Sequence, residues 1–185
     1  MFFGLHHNHL PNSSDLQAMM MLSNYGATSS FATLPVLNNN DVLNVSMGLG
    51  VQNLEAFNQK EESIDINLWV RLNWNDEYLK WDNTTSELTF LSADQEYTWV
   101  PDIELLNAAS KPEIYTLKGG INLYSDGSIM YSKPGIYKYS CSLNLKRFPF
   151  DKQNCTMKFG NWIYSNQHMI GPDGIANIGP GSHRV

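Results

Sequence analysis

Cys141 and Cys155 are the only two cysteines of the chain, with thirteen residues between them. The segment they bracket carries Phe148-Pro149-Phe150-Asp151 near its centre. The pair therefore reads as one local disulfide clasping a hairpin-like loop, rather than as two separate buried thiols. Closing a ring of that size stabilises the fold by roughly 3 kcal/mol in the chain-entropy description. Asn154-Cys155-Thr156 is an N-glycosylation sequon, and three more begin at Asn12, Asn44 and Asn83. Disulfide and sequons together point to an oxidising compartment. His6, His7 and His9 could share a metal ion, but a loose cluster near a terminus is more simply solvated, and no metal or cofactor is expected. No Gly-x-Ser-x-Gly, no His-Glu-x-x-His and no phosphate-cradling glycine loop ahead of a helix occurs, which argues against an enzyme.

Two of the five tryptophans stand out by phase. Ile64, Ile66, Leu68, Val70, Leu72 and Trp74 alternate with Asp65, Asn67, Trp69, Arg71 and Asn73, so Trp69 falls on the polar side of its strand. Counted from Cys155, Trp162 shares its phase with Thr156, Lys158 and Gly160 unless a bulge at Gly160 resets the register. A large ring on an outward face needs cover. That cover is a loop of the same subunit, a neighbouring subunit, or a ligand cation held by the ring's π face, worth about 0.5–2 kcal/mol.

The elements that must carry these residues are mostly strands. Val45, Met47, Leu49 and Val51 alternate with polar or small residues, as do Tyr137, Tyr139, Cys141, Leu143 and Leu145. Asp126-Gly127, between Ile121-Asn-Leu-Tyr and Ile129-Met-Tyr, predicts a hairpin turn. Ser14 with Gln17 forms a capping-box pattern, and Leu16, Met19 and Met20 predict a short amphipathic helix ending near Tyr25-Gly26. Several strands punctuated by turns predict an all-β, antiparallel β-sandwich with that one N-terminal helix. At 185 residues one domain suffices. We read residues 1–12 as a polar arm, 13–170 as the sandwich domain and 171–185 as a turn-rich tail. The net charge of −6 argues against nucleic acid as a partner. No stretch approaches the ~20 apolar residues that span a bilayer, and the first ten lack the apolar run of a secretory signal.

Four segments in order carry a resemblance: Trp69-Val-Arg-Leu-Asn-Trp-Asn-Asp-Glu-Tyr-Leu-Lys-Trp-Asp82; Trp99-Val-Pro-Asp102 with Leu105-Leu-Asn-Ala108; the Cys141–Cys155 loop; and Met157-Lys-Phe-Gly-Asn-Trp-Ile-Tyr164. Together they closely resemble the extracellular ligand-binding domain of Cys-loop receptors, on the nicotinic acetylcholine receptor side of that family. The resemblance implies a ring of five like or homologous subunits joined head to tail, with a small cationic amine such as acetylcholine bound between neighbours. It assigns Trp69, with Met130 and Ser132, to the complementary face. Trp162 and Tyr164 go to the principal face with Lys158, a coupling lysine, and with Leu106 where acetylcholine-binding subunits carry a tyrosine. Asp102 matches a carboxylate that braces the Trp162 loop. Phe148, Pro149, Phe150 and Asp151 match the loop tip that meets the channel's membrane domain.

There are departures. Besides Leu106, no adjacent cysteine pair exists, and the closing C-terminal strands with their lid tyrosines read as absent. The leading expectation is a ligand-binding domain, or a truncated homologue of one, exposed at the cell surface as part of a receptor or secreted. Two alternatives stay open: an assembly component that kept the fold and lost ligand binding, and a soluble transmitter-binding protein.

Overall fold

The computed structural model describes residues 18, 20–25, 33–38, 40–86, 88–114, 120–161 and 169–170. Its strands are β1 (Leu43–Asn44), β2 (Ser46–Asn58), β3 (Ser63–Asn75), β4 (Phe90–Asp94), β5 (Ile103–Leu105), β6 (Glu113–Ile114), β7 (Gly120–Tyr124), β8 (Ser128–Ser140), β9 (Phe159–Asn161) and β10 (Met169–Ile170). The main sheet is antiparallel, in the order β2-β3-β8-β7-β4. β7 runs along the first half of β8, and β6 pairs with the same strand at Ile136 and Gly135. β5 and β9 form a second, antiparallel pair, while the short β1 and β10 run parallel.

The alternation in β3 becomes a two-sided strand. Ile64, Ile66, Leu68, Val70, Leu72 and Trp74 are buried, whereas Trp69, Arg71 and Asn73 are exposed. β5 and β9 cover the inner side, where Ile103, Leu105 and Phe159 line one crevice with Val70, Leu72 and Tyr137. That contact makes the second layer of the sandwich. Burying each of these apolar side chains contributes about 1.5–3 kcal/mol. The core continues through Ile121, Leu123, Ile129 and Tyr131 to Trp74, which meets Trp99 edge-on at 6.0 Å between ring centroids.

Residues 20–25 are helical, and Tyr25 anchors that turn in the core; the capping pattern at Ser14 and Gln17 lies outside the described residues. The Tyr25 hydroxyl donates to Asp76 Oδ2 at 2.6 Å, and the Trp99 amide donates to the same hydroxyl at 3.4 Å. The Asp126-Gly127 turn joins β7 to β8 as its sequence requires. Gly127 adopts φ +87° and its amide donates to the Tyr124 carbonyl at 2.9 Å.

Two strands depart from the simple alternation. β8 stops at Ser140, and beyond the buried Cys141 the chain enters the loop with Leu145 exposed, because turn bonds replace the ladder there. In β2 the alternation ends at Val51. Register shifts between Val51 and Asn53 and between Leu54 and Ala56 keep Val51, Leu54 and Phe57 opposite Leu68, Ile66 and Ile64, so the apolar spacing there becomes three. Among the described residues no helix is long and apolar enough to cross a membrane.

Candidate ligand-binding face

The outer face of the main sheet is a grid set by strand register. One rung runs Gly48, Arg71, Ser132, Gly120, Asp94; the next towards the β2–β3 turn holds Gly50, Trp69 and Pro134; on the other side lie Ser46, Asn73, Met130 and Asn122. Side chains two apart on a strand share a face. Trp69, Met130 and Ser132, singled out separately in the sequence, therefore stand within three consecutive rungs of one surface. Trp69 is 38% exposed, and glycine opposite it on β2 leaves its flank open. Its ring already carries a cation: the Arg71 guanidinium lies 5.5 Å from the ring centroid. The Ser132 hydroxyl oxygen is buried and has no hydrogen-bond partner among the described residues. Arg71 was not singled out by the sequence pattern; the signal available was its spacing two residues from Trp69.

The opposite layer holds the other group. Leu106 and Lys158 are both half-buried and joined through the backbone, the Leu106 amide donating to the Lys158 carbonyl at 2.6 Å. Asp102 is half-buried at the entry to β5 and makes no hydrogen bond to a described residue. Trp162 and Tyr164 lie outside the described residues, as does Asn12. Asn44, Asn83 and Asn154 are exposed.

Asn107 was quoted within a motif but given no role, and it joins more segments than any residue that was given one. Its Nδ2 donates to the carbonyls of Ser140 (3.2 Å) and Thr156 (2.9 Å), and its Oδ1 accepts from the Lys158 amide at 2.9 Å. The Ser140 amide donates to the Asn107 carbonyl at 3.0 Å. One side chain thus fixes the residues just outside both cysteines. Cys141 and Cys155 are joined by a disulfide, and the Cys141 amide donates to the Glu62 carbonyl at 2.8 Å, so the β2–β3 turn and the disulfide loop share one end of the sandwich. Lys138 reinforces that end through Glu61, at 2.8 Å, across an exposed surface. Inside the loop Gln153 mimics a strand partner for Asn144, accepting from its amide at 2.9 Å and donating to its carbonyl at 3.2 Å. The tip beyond projects outward, Phe148 being 64% and Phe150 88% exposed.

Residues 21–171 match the family described as the neurotransmitter-gated ion-channel ligand binding domain. The neuronal acetylcholine receptor subunit alpha-4 of Homo sapiens is 40% identical over 131 residues, which cover 70% of this chain and 21% of that protein. The alpha-2 subunits of Homo sapiens and Rattus norvegicus are each 39% identical over 131 residues, again 70% of this chain, and 25% and 26% of the respective relatives. The chain thus spans only about a quarter of the length of these curated relatives. The family match runs from the turn of helix that Tyr25 anchors, through both layers of the sandwich, to β10 and one residue beyond. The chain belongs to the neurotransmitter-gated ion-channel ligand binding domain family.

Proposed function

We propose that this chain is the extracellular ligand-binding domain of a nicotinic-type, pentameric neurotransmitter-gated ion channel, and that it helps to bind a small cationic amine such as acetylcholine between neighbouring subunits. The observation that carries the reading is the outward ring of Trp69, which already hosts a guanidinium and has Met130 and Ser132 on the same face. Relatives named acetylcholine receptor subunits at 40% and 39% identity support the ligand class. In this reading Trp69, Met130 and Ser132 form the complementary wall. Trp162, Tyr164 and Lys158 belong to the principal wall, braced by Asp102. Ligand capture is then passed to the channel's membrane domain through Phe148, Pro149, Phe150 and Asp151, at the end of the sandwich where the disulfide loop and the β2–β3 turn meet.

Leu106 favours a narrower version. An aliphatic side chain lacks the π face that holds an ammonium, so the principal wall is one ring short. The chain would then serve its ring of subunits chiefly through the complementary face, with assembly alone as the limiting case.

The test is a titration of acetylcholine against the assembled protein, followed by tryptophan fluorescence, in the native chain and in Trp69→Ala. Native protein should be quenched saturably, and loss of the ring should weaken apparent affinity by roughly two- to thirty-fold. An identical titration in the variant would refute the complementary-face assignment. An assembled ring with no response at all would leave the assembly role.

A further inference from the structure

We propose that the crevice between the two layers of the sandwich is a binding site for a small carboxylate with an apolar body, a single ring or a short alkyl chain. The site touches none of the residues assigned to amine binding and does not depend on that reading.

The starting point is Lys133, a charged residue in an apolar phase. It stands opposite Val70 in the β3–β8 register and shares its parity with the buried Ile129, Tyr131 and Tyr137. Its stem therefore enters the space between the layers, and the side chain is only 26% exposed. An ammonium so placed calls for a close partner. The one it meets is poor: Glu104 Oε1 lies 3.6 Å away, beyond hydrogen-bond reach, and the Glu104 side chain is 50% exposed. The Tyr131 ring, with its centroid 5.8 Å from the ammonium, steadies the charge but supplies no oxygen acceptor.

Beside that ammonium the crevice opens. Val70, Leu72, Ile103, Leu105 and Phe159 form its walls, and its volume is about 190 Å³. A cavity of about 150 Å³ holds a benzene ring, whereas sites for drug-sized ligands start at about 300 Å³. The walls thus admit one ring or a short chain and leave no room for a larger body.

The rim carries the charge. Lys111 and Lys133 flank Glu104 there, and Lys111 is exposed and forms no ion pair with a described residue. Two lysines against one glutamate leave the rim at +1. Tyr137 adds no negative charge, because burial and, after it, the Glu104 charge raise its phenol far above the usual value. A ligand that matches both parts has one anionic group at the rim and an apolar body behind it. A carboxylate balances the rim and gives the Lys133 ammonium the close oxygen that Glu104 does not. A cationic ligand would meet the excess of lysine, and an uncharged one would leave that excess unbalanced.

Titration of benzoate, hexanoate and benzyl alcohol against the 185-residue chain tests this, followed by NMR of its Ile, Leu and Val methyl groups. At least one of the two acids should bind saturably and shift the methyl signals of Val70, Leu72, Ile103 and Leu105 most; the tighter acid identifies the body as ring or chain. Benzyl alcohol, which has the ring without the charge, should bind roughly ten- to one-hundred-fold more weakly than benzoate. Lys133→Met keeps the bulk of the stem, removes the charge and should erase that preference while the apolar bodies still enter. Lys111→Ala, at an exposed position, should lower it part of the way. Equal affinity for benzoate and benzyl alcohol in the native chain would overturn the proposal, and that comparison stands whether or not Lys133→Met folds. So would the absence of saturable binding by either acid, a preference unchanged in folded Lys133→Met, or shifts centred on methyl groups outside the crevice.

Discussion

At the scale of single residues, the most demanding group in the described structure is Asp76. It is fully buried, yet its carboxylate is met by the Tyr25 hydroxyl at 2.6 Å and the Tyr78 amide at 2.9 Å, while its own amide donates to the Gly127 carbonyl at 2.8 Å. Through these bonds one residue ties the helix, the end of β3 and the β7–β8 turn together. Burial pushes its pKa above the ordinary aspartate value, against the lowering effect of the hydrogen bonds from Tyr25, Tyr78 and Leu79. The sign follows from that direction. A carboxyl that holds its proton more firmly when folded favours folding at low pH, and this contribution is lost as pH rises from the unfolded value through the folded one. Asp76→Asn should therefore compare least favourably with the native protein in acid and gain ground towards neutrality, which urea unfolding at several pH values would measure. Asp76→Ala removes the acceptor for these donors and should cost about 2–3 kcal/mol in acid, a cost that shrinks as pH rises through the folded pKa. If Asn and the native residue kept a constant stability difference across the acid range, the burial argument would fail.

At the scale of elements, the β7–β8 hairpin is the most tightly specified connection. Gly127 sits at positive φ, and a Cβ added there would lie 2.6 Å from the Asp76 carbonyl oxygen and 2.9 Å from Lys80 Cε. Gly127→Ala combines backbone strain with a clash against backbone that cannot give way, and should destabilise by about 1–3 kcal/mol. A thermal or urea midpoint unchanged within error would contradict this. The Asp-Gly pair made the turn legible in advance, because few dipeptides tolerate that geometry. β3 was equally legible, since both of its faces have consistent company. β2 was legible only to Val51: two bulges reset its register, and a count by twos cannot detect an inserted residue. Leu143 and Leu145 misled in the opposite sense, for their spacing continues that of β8 while the chain has already turned into the loop. Asp76 and Asn107 escaped notice for a shared reason. Each works by bonding groups that are distant in sequence, and neither periodicity nor local spacing records that.

At the scale of the molecule, the described residues of the two expected halves of the site lie in different layers: Trp69, Met130 and Ser132 on the outer face of the main sheet, and Leu106 and Lys158 beside the β5–β9 pair. The phase of Trp69 foretold an outward ring, but no sequence pattern could say what covers it, because that depends on a second surface. A ring of subunits joined head to tail supplies one, since each interface joins two different faces. Under the proposed function, one copy alone therefore holds only a fraction of an amine site, and occupancy is linked to assembly by mass action. Light scattering should give a mass of five copies at high protein concentration. As the protein is diluted until that mass falls, amine-induced quenching should vanish in step, and added amine should in turn hold the ring together at lower concentration. Trp69→Ala should break this reciprocity by weakening the amine's hold while leaving most of the interface untouched. Quenching that survived intact in a monomeric solution would mean that a single copy completes the cage within its own sandwich, and the intersubunit assignment of Trp69 would have to be abandoned.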